Sequence, residues 1–252
     1  MTGASRQTPA PRWRGFVFNT AFYAWTMTML PIGLTASIRS TANAYVINRV
    51  WANGALWLLS LIVGLQFQVR GRENVPDESV MMAVKHQSAW ETLALNLELR
   101  DPAFVVKREL MRVPVFGWLL HRVGMISVDR SGGGAALRSM VGTARQRVAE
   151  GRSIVIFPEG TRTPLGERQP YHPGVAALYK ALNVPVIPVA LNSGLFWPRR
   201  STWLQPGVVT LEFLPAIPPG LPRRDFMARL ETAIEDASDR LADEARDIHA
   251  YL

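Results

Sequence analysis

The sequence predicts an α/β fold, a sheet flanked by helices, preceded by an apolar N-terminal helical pair. Three observations carry that expectation. From about residue 71 onward, short apolar runs of strand length alternate with helix-period patterns. Near the N-terminus, Gly15–Ile38 and Val50–Val69 hold no charged residue over 24 and 20 positions, close to the roughly 20 residues that cross a bilayer. The chain of 252 residues has no cysteine, so disulfides, a thiol nucleophile and thiolate metal sites are excluded together. Composition divides it at residue 70: a membrane-associated segment over 1–70 and the α/β domain over 71–252.

In chain order, the second apolar segment is the stronger of the two, with Ala55–Leu65 almost wholly apolar. The first is diluted by Asn19 and four threonines, and Pro31-Ile32-Gly33 is expected to kink or end its helix. Arginines bracket both segments: Arg12 and Arg14 before, Arg39 and Arg49 between, Arg70 and Arg72 after. A cleaved signal peptide fits poorly, because a second apolar segment follows. A transmembrane hairpin has to accommodate the two arginines of its connection. A helical pair dipping into one leaflet tolerates them by snorkelling. Spanning and monotopic insertion both stay open on this evidence.

The expected strands are Val80–Val84, Phe104–Val106, Met125–Val128, Ile154–Phe157, Val186–Leu191 and Val208–Phe213. Helical patterns separate several of them, notably Ala135–Glu150 and Val175–Leu182. Phe226, Leu230, Ile234, Ala237, Leu241, Ala245 and Ile248 recur every three or four residues, which is one amphipathic C-terminal helix.

The net charge is +8, and lysine occurs only at 85, 107 and 180, so nearly all positive charge is arginine. Such a surface suits phosphates, nucleic acid or anionic lipid headgroups. Tryptophans beside arginines, in Arg12-Trp13-Arg14 and Trp197-Pro198-Arg199-Arg200, match a membrane-interface pattern. An arginine-biased genome explains the excess alone equally well. Nucleic-acid binding leaves the apolar N-terminus unexplained. No H-E-x-x-H occurs and the four histidines are scattered, so no metal site is expected.

His86-Gln87-Ser88-Ala89-Trp90-Glu91 has the best chemical surroundings for a general base. Histidine titrates near neutrality, and a carboxylate can fix its tautomer and stabilise the imidazolium. Along a continuous helix, five residues turn through about 500°, leaving the two side chains some 140° apart. They meet if His86 lies in the entry turn and the helix starts near Ser88. Ser88-Ala89-Trp90-Glu91 is itself a capping-box pattern, so Glu91 as a cap and Glu91 as a dyad partner both stay open.

Three further segments follow strand ends. Phe157-Pro158-Glu159-Gly160-Thr161-Arg162 is a turn presenting a carboxylate, a hydroxyl and a guanidinium, or an ordinary strand-end turn. Lys107-Arg108-Glu109-Leu110 offers Lys107 to a phosphate or oxyanion, or is a surface charge cluster. Val128-Asp129-Arg130 and the glycines after it offer Arg130 to a phosphate, without a dinucleotide fingerprint. His172, in Pro170-Tyr171-His172-Pro173-Gly174, is a turn residue or a further polar group.

Together and in their order along the chain, these segments resemble the four blocks of the glycerolipid acyltransferases, most closely the 1-acyl-glycerol-3-phosphate acyltransferases. His86–Glu91 matches His-x4-Asp, Lys107–Gly117 matches Lys-x-Glu-Leu-x3-Pro-x2-Gly, Phe157–Arg162 matches Phe-Pro-Glu-Gly-Thr-Arg, and Val184–Val189 matches the Val-Pro-Val-x-Pro-Val-type strand. One departure is visible: Glu91 stands where the family has aspartate. The resemblance implies a mixed sheet flanked by helices and a membrane-bound enzyme that makes phosphatidic acid. In it His86 is the base, Glu91 its orienting partner, and Lys107, Arg130, Glu159, Gly160, Thr161 and Arg162 bind substrate. Lys107 or the backbone amides around Gly160 would meet the oxyanion. The donor implied is acyl-CoA or acyl-carrier protein, with no cofactor, at the cytoplasmic face of the inner membrane. Other acceptors on the same fold, such as a lyso-ornithine lipid or another lysophospholipid, and an inactive lipid-binding protein are the alternatives.

Overall fold

The computed structural model of the chain describes residues 11–251, with side chains to residue 247. The first ten residues of the expected N-terminal segment, and the side chain of Ile248, therefore lie outside the described residues. The helices are α1 (Arg12–Arg39), α2 (Thr41–Val63), α3 (Trp90–Glu98), α4 (Phe116–Arg122), α5 (Gly133–Ala149), α6 (Pro173–Leu182), α7 (Ser193–Phe196) and α8 (Arg223–Tyr251). The strands are β1 (Leu65–Arg70), β2 (Met81–Val84), β3 (Ala103–Lys107), β4 (Ile126–Val128), β5 (Ile154–Ile156), β6 (Val186–Leu191) and β7 (Gly207–Phe213).

All seven strands form one sheet in the order β1-β7-β6-β2-β5-β3-β4. From β6 to β4 every neighbouring pair is parallel, while β7 runs antiparallel to β6 and carries β1 parallel to itself. The sheet is mixed and covered on both faces. Met82, Phe104, Val155 and Ile187 pack toward α2 and α3, and their sequence neighbours Met81, Ala103, Ile154 and Val186 pack toward α5, α6 and α8. Burial on both faces is why these strands read as continuous apolar runs rather than alternating ones.

Six of the seven strands fall on the expected runs. The exception is β1, which lies inside the stretch read as one apolar segment. α2 stops at Val63 because Gly64 takes a left-handed conformation, φ 80°, and returns its amide to Ser60. Beyond it Leu65, Phe67 and Val69 alternate with glutamines as an edge strand along β7. The sheet-forming part therefore starts at residue 65, not 71.

α1 also departs from expectation, running unbroken through Pro31. Proline there withholds only one amide and stands on the exposed side, while Thr35 donates its hydroxyl to the Pro31 carbonyl. α1 folds back on α2, with Trp25 Nε1 on the Trp51 carbonyl and Trp51 Nε1 on Thr26 Oγ1, both at 3.0 Å. Gly54 is required here, since a Cβ would lie 2.5 Å from the Trp25 ring. Arg49 is not a snorkelling residue: its guanidinium reaches the carbonyls of Asn96, Leu97 and Leu99 at 2.7, 3.1 and 3.1 Å. It closes the carbonyl end of α3 and ties α2 to the domain.

Candidate active site

Parallel strands send their following loops to one end of the sheet, and ligands in such sheets bind outside those carboxyl ends. Here β2 leads into His86, β3 ends at Lys107, β4 leads into Arg130, and β5 leads into Glu159–Arg162. At that end lies a cavity of ≈ 920 Å³ whose wall includes His86, Lys107, Arg130, Gly160, Thr161 and Arg162. Six of the eight expected site residues thus share one cavity, and Glu91 and Glu159 stand behind it.

His86 Nδ1 lies 2.8 Å from Glu91 Oε1. The same oxygen accepts the amides of Gln87 and Ser88, each at 2.8 Å, and Oε2 accepts the hydroxyls of Ser88 at 3.2 Å and Ser193 at 2.9 Å. Ser88 Oγ in turn accepts the Trp90 amide at 2.8 Å. Glu91 therefore accepts from the turn amides and contacts the imidazole at once, and because α3 starts only at Trp90 its side chain can reach back to His86. Its side chain is fully buried. Burial pushes its pKa up, but the His86 hydrogen bond and charge, followed by the Ser88 amide, outweigh that and leave it below the usual value. An ionised carboxylate only accepts, so Nδ1 carries hydrogen and Nε2 is the basic nitrogen. The ring is 14% exposed and stacks on Phe157 with centroids 4.0 Å apart. Nothing about the longer acid prevents the contact.

The Glu159 turn is joined to the His86 turn rather than opposed to it. Glu159 Oε2 accepts the His86 amide at 2.8 Å, and the Thr163 amide donates to the His86 carbonyl at 2.7 Å. Glu159 Oε1 pairs with Lys85 Nζ at 2.7 Å, with no exposure of the carboxylate. The Glu159 carboxylate, expected among the acceptor-binding groups, faces inward here and is held by Lys85 and the His86 amide. Gly160 adopts φ 63°, and a Cβ there would approach His172 Cδ2 to 2.6 Å and Arg130 Nη2 to 3.0 Å. A glycine is needed on both counts. The Gly160 amide donates to the Phe157 carbonyl at 2.9 Å. His172 turns out to be both a turn residue, preceding α6, and part of the cavity wall.

Sequence reasoning missed three contributors. Ser193, just past β6, braces Glu91. Arg199 and Arg200 join the cavity wall, with Arg199 Nη1 on the Arg162 carbonyl at 3.1 Å. The only signals were a polar Asn-Ser-Gly at the end of a buried strand and an Arg-Arg pair already read as interfacial. Asp129, the one carboxylate in the wall, is held at about 2 by hydrogen bonds from Ser131 and then Arg108 and is committed to them. The charged groups of the wall are therefore mostly cationic. Trp51, Phe104, Phe116, Leu120 and Met125 line the same cavity, Trp51 from the N-terminal pair. The wall thus offers both cations and apolar surface together with His86.

The start of α1 meets the stretch after α7: the Arg12 guanidinium lies 5.4 Å over the Trp203 ring, and Phe18 meets Trp197 edge-on at 5.4 Å. Elsewhere on α1, Phe16, Tyr23 and Met27 are 72%, 63% and 63% exposed. α2 is the one described helix long and apolar enough to cross a membrane.

Comparison with known proteins adds the following. A family model described as acyltransferase matches residues 66–192. A 1-acyl-sn-glycerol-3-phosphate acyltransferase of Pseudomonas aeruginosa is 36% identical over 167 residues, 66% of this chain and 65% of that protein. A lyso-ornithine lipid O-acyltransferase of the same organism is 31% identical over 140 residues, 54% of this chain and 52% of the other. The match thus spans just under two thirds of the first relative's length. The crystal structure of the 1-acyl-sn-glycerophosphate acyltransferase PlsC from Thermotoga maritima superposes with a TM-score of 0.75 over 92% of this chain and 98% of that one, at 20% identity. It bears out the fold, helical pair included.

Proposed function

This chain belongs to the acyltransferase family, and on that premise we propose that it acylates the free hydroxyl of 1-acyl-glycerol-3-phosphate from an acyl thioester. The product is phosphatidic acid. The observation that carries the reading is the His86–Glu91 contact of 2.8 Å at the wall of a cavity lined by both arginines and apolar side chains.

His86 Nε2 removes the hydroxyl proton as that oxygen attacks the thioester carbonyl carbon. The tetrahedral oxyanion then collapses, the carbon–sulfur bond breaks, and the imidazolium returns its proton to the leaving thiolate. Proton transfer of this kind contributes about 10²–10⁴-fold in rate. Glu91 holds the ring and balances its charge through the cycle. Arg162 and Arg130 take the acceptor phosphate, and Lys107 and the Thr161–Arg162 backbone are the candidates for the oxyanion. No covalent acyl-enzyme is needed. Acyl-CoA and acyl-carrier protein both supply the thioester.

Membrane attachment belongs to the same reading. α1 exposes Trp13, Phe16, Tyr23 and Met27, with Arg12 beside Trp203 near its start, while Arg49 and Tyr45 fasten α2 to the domain. That supports a pair lying in one leaflet over a pair crossing the bilayer. A cytoplasmic donor sets the site on the cytoplasmic face.

A lyso-ornithine lipid acceptor is the second reading, favoured by the 31% identical relative. It carries no phosphate, only a carboxylate offset by its own ammonium, and so offers the arginines of the cavity less anionic charge. The test is transfer from a labelled acyl thioester to a panel of lysolipids by the purified protein. Labelled phosphatidic acid supports the first reading, and label confined to a phosphate-free acceptor would replace it with the second.

A further inference from the structure

His86 and Lys85 are successive residues at the end of β2, so their side chains leave opposite faces of the sheet. His86 enters the cavity wall. Lys85 runs the other way, beneath α8, and is 2% exposed. There its ammonium meets two carboxylates: Glu159 Oε1 at 2.7 Å and Glu235 at 2.8 and 2.7 Å. Glu159 and Glu235 are 0% and 2% exposed, and Tyr171 donates its hydroxyl to Glu235 Oε1 at 2.9 Å. Ion pairs this deep are weak devices for stability, since apolar side chains of like volume commonly do as well. This one ends on a chemically meaningful atom: the far oxygen of Glu159 accepts the His86 amide at 2.8 Å.

We propose that Lys85 and Glu235 are positioning residues that hold the Glu159 carboxylate on the His86 backbone, and so fix the ring in the cavity wall. Glu235 lies on α8, outside the residues 66–192 that match the family model. The C-terminal helix therefore takes part in the site without touching it. The inference rests on His86 being the base of the proposed reaction.

The groups facing Glu159 are Lys85 and His86 from the β2 end, Thr163 from its own turn, Glu235 and Tyr171 through Lys85, and Glu91 across the His86 turn. Burial raises the Glu159 pKa, and Lys85 opposes that by charge and hydrogen bond. Removing the ammonium lets Glu159 take up a proton at higher pH and release the His86 amide.

The test is the Lys85→Gln/Glu235→Gln variant of the full chain, in which both buried partners are neutral amides. Its kcat is expected to fall, up to about 10²-fold as for a misplaced catalytic group, with both KM values unchanged. The loss should be largest at low pH and recover as the pH is raised and Glu159 regains its charge. Hydrogen exchange at the His86 amide, compared with the parent at each pH, should be faster and follow the same titration. A folded variant with parental kcat and parental exchange at His86 overturns the proposal. So does a kcat loss that ignores pH while His86 exchange is unchanged, which assigns the network to packing. If the double variant does not fold, Glu235→Gln alone, which leaves Lys85 wholly to Glu159, should show no low-pH loss beyond the parent's. A low-pH kcat loss with faster His86 exchange in that variant overturns the proposal, because the ammonium that holds Glu159 is still there. A parent inactive on every acceptor would refute the proposed reaction, and the exchange measurement would still decide the clamp.

Discussion

In the proposed reaction the His86 turn and the outer face of α1 have different tasks, and they are built in opposite ways. At the turn, polar and charged groups are buried and every contact is specific: Glu91 alone holds a ring, two amides and two hydroxyls. On α1, large apolar side chains are exposed, and the helix buries only Gly15, Phe18, Gly33 and Ser37. Chemistry needs atoms fixed within tenths of an ångström, whereas access to a bilayer needs area without direction. The two regions should therefore fail differently when they are changed.

The sharpest break is His86→Ala. It is expected to lower transfer by about 10²–10⁴-fold, leaving the thermal midpoint and vesicle binding near parental. Vesicle binding lost along with activity would mean the regions are not separable. Next is Glu91→Asp, which restores the family's usual acid here. The shorter side chain cannot serve His86 and Ser193 together, and kcat should fall, by up to about 10²-fold. A parental kcat would show that the Ser193 brace is dispensable.

Arg162→Ala acts on binding rather than on the base. Losing one charge-assisted contact should raise the KM for a phosphate-bearing acceptor about tenfold or more, with the donor KM unchanged. An effect on the donor alone would remove Arg162 from the phosphate site. On the other region, Phe16→Ser should weaken association with anionic vesicles about tenfold, the value of one large apolar side chain, without changing the melting temperature. Unchanged sedimentation with vesicles would remove α1 from the membrane face.

The smallest effect expected is on acid stability. The Glu91 pKa is lowered on folding from 4.5, so its contribution is complete above pH 4.5 and lost as pH falls through the lower folded value. Glu159 is raised and works the other way, since protonating it relieves buried charge. Melting curves of the parent and Glu91→Gln at stepped pH separate the two. The gap between them should close below pH 4.5, and a gap independent of pH would contradict the assignment.

Much of this was legible in the sequence for identifiable reasons. Strands β2 to β7 are buried on both faces or closely packed, and such strands leave continuous apolar runs. Three of the four blocks sit where parallel strands end and the fourth runs into β6, so their order along the chain carried the site. What escaped notice depended on tertiary partners. β1 alternates glutamine with apolar residues inside an uncharged stretch, and only Gly64 marks its start. Arg49 looked like a flanking charge until α3 supplied three carbonyls. Glu235 is one of many acids on an amphipathic helix, distinguished only by meeting Lys85, 150 residues away. Glu159 stood in a recognisable block, yet which way its carboxylate faces is decided by that same lysine.

The most direct measurement of the central claim uses a short-chain 1-acyl-glycerol-3-phosphate that dissolves as a monomer, so that membrane access no longer limits transfer. With an acyl thioester donor, Phe16→Ser should form phosphatidic acid at the parental kcat, while His86→Ala should form almost none. Turnover by His86→Ala at the parental rate would contradict the account, because the proton would then be leaving by another route.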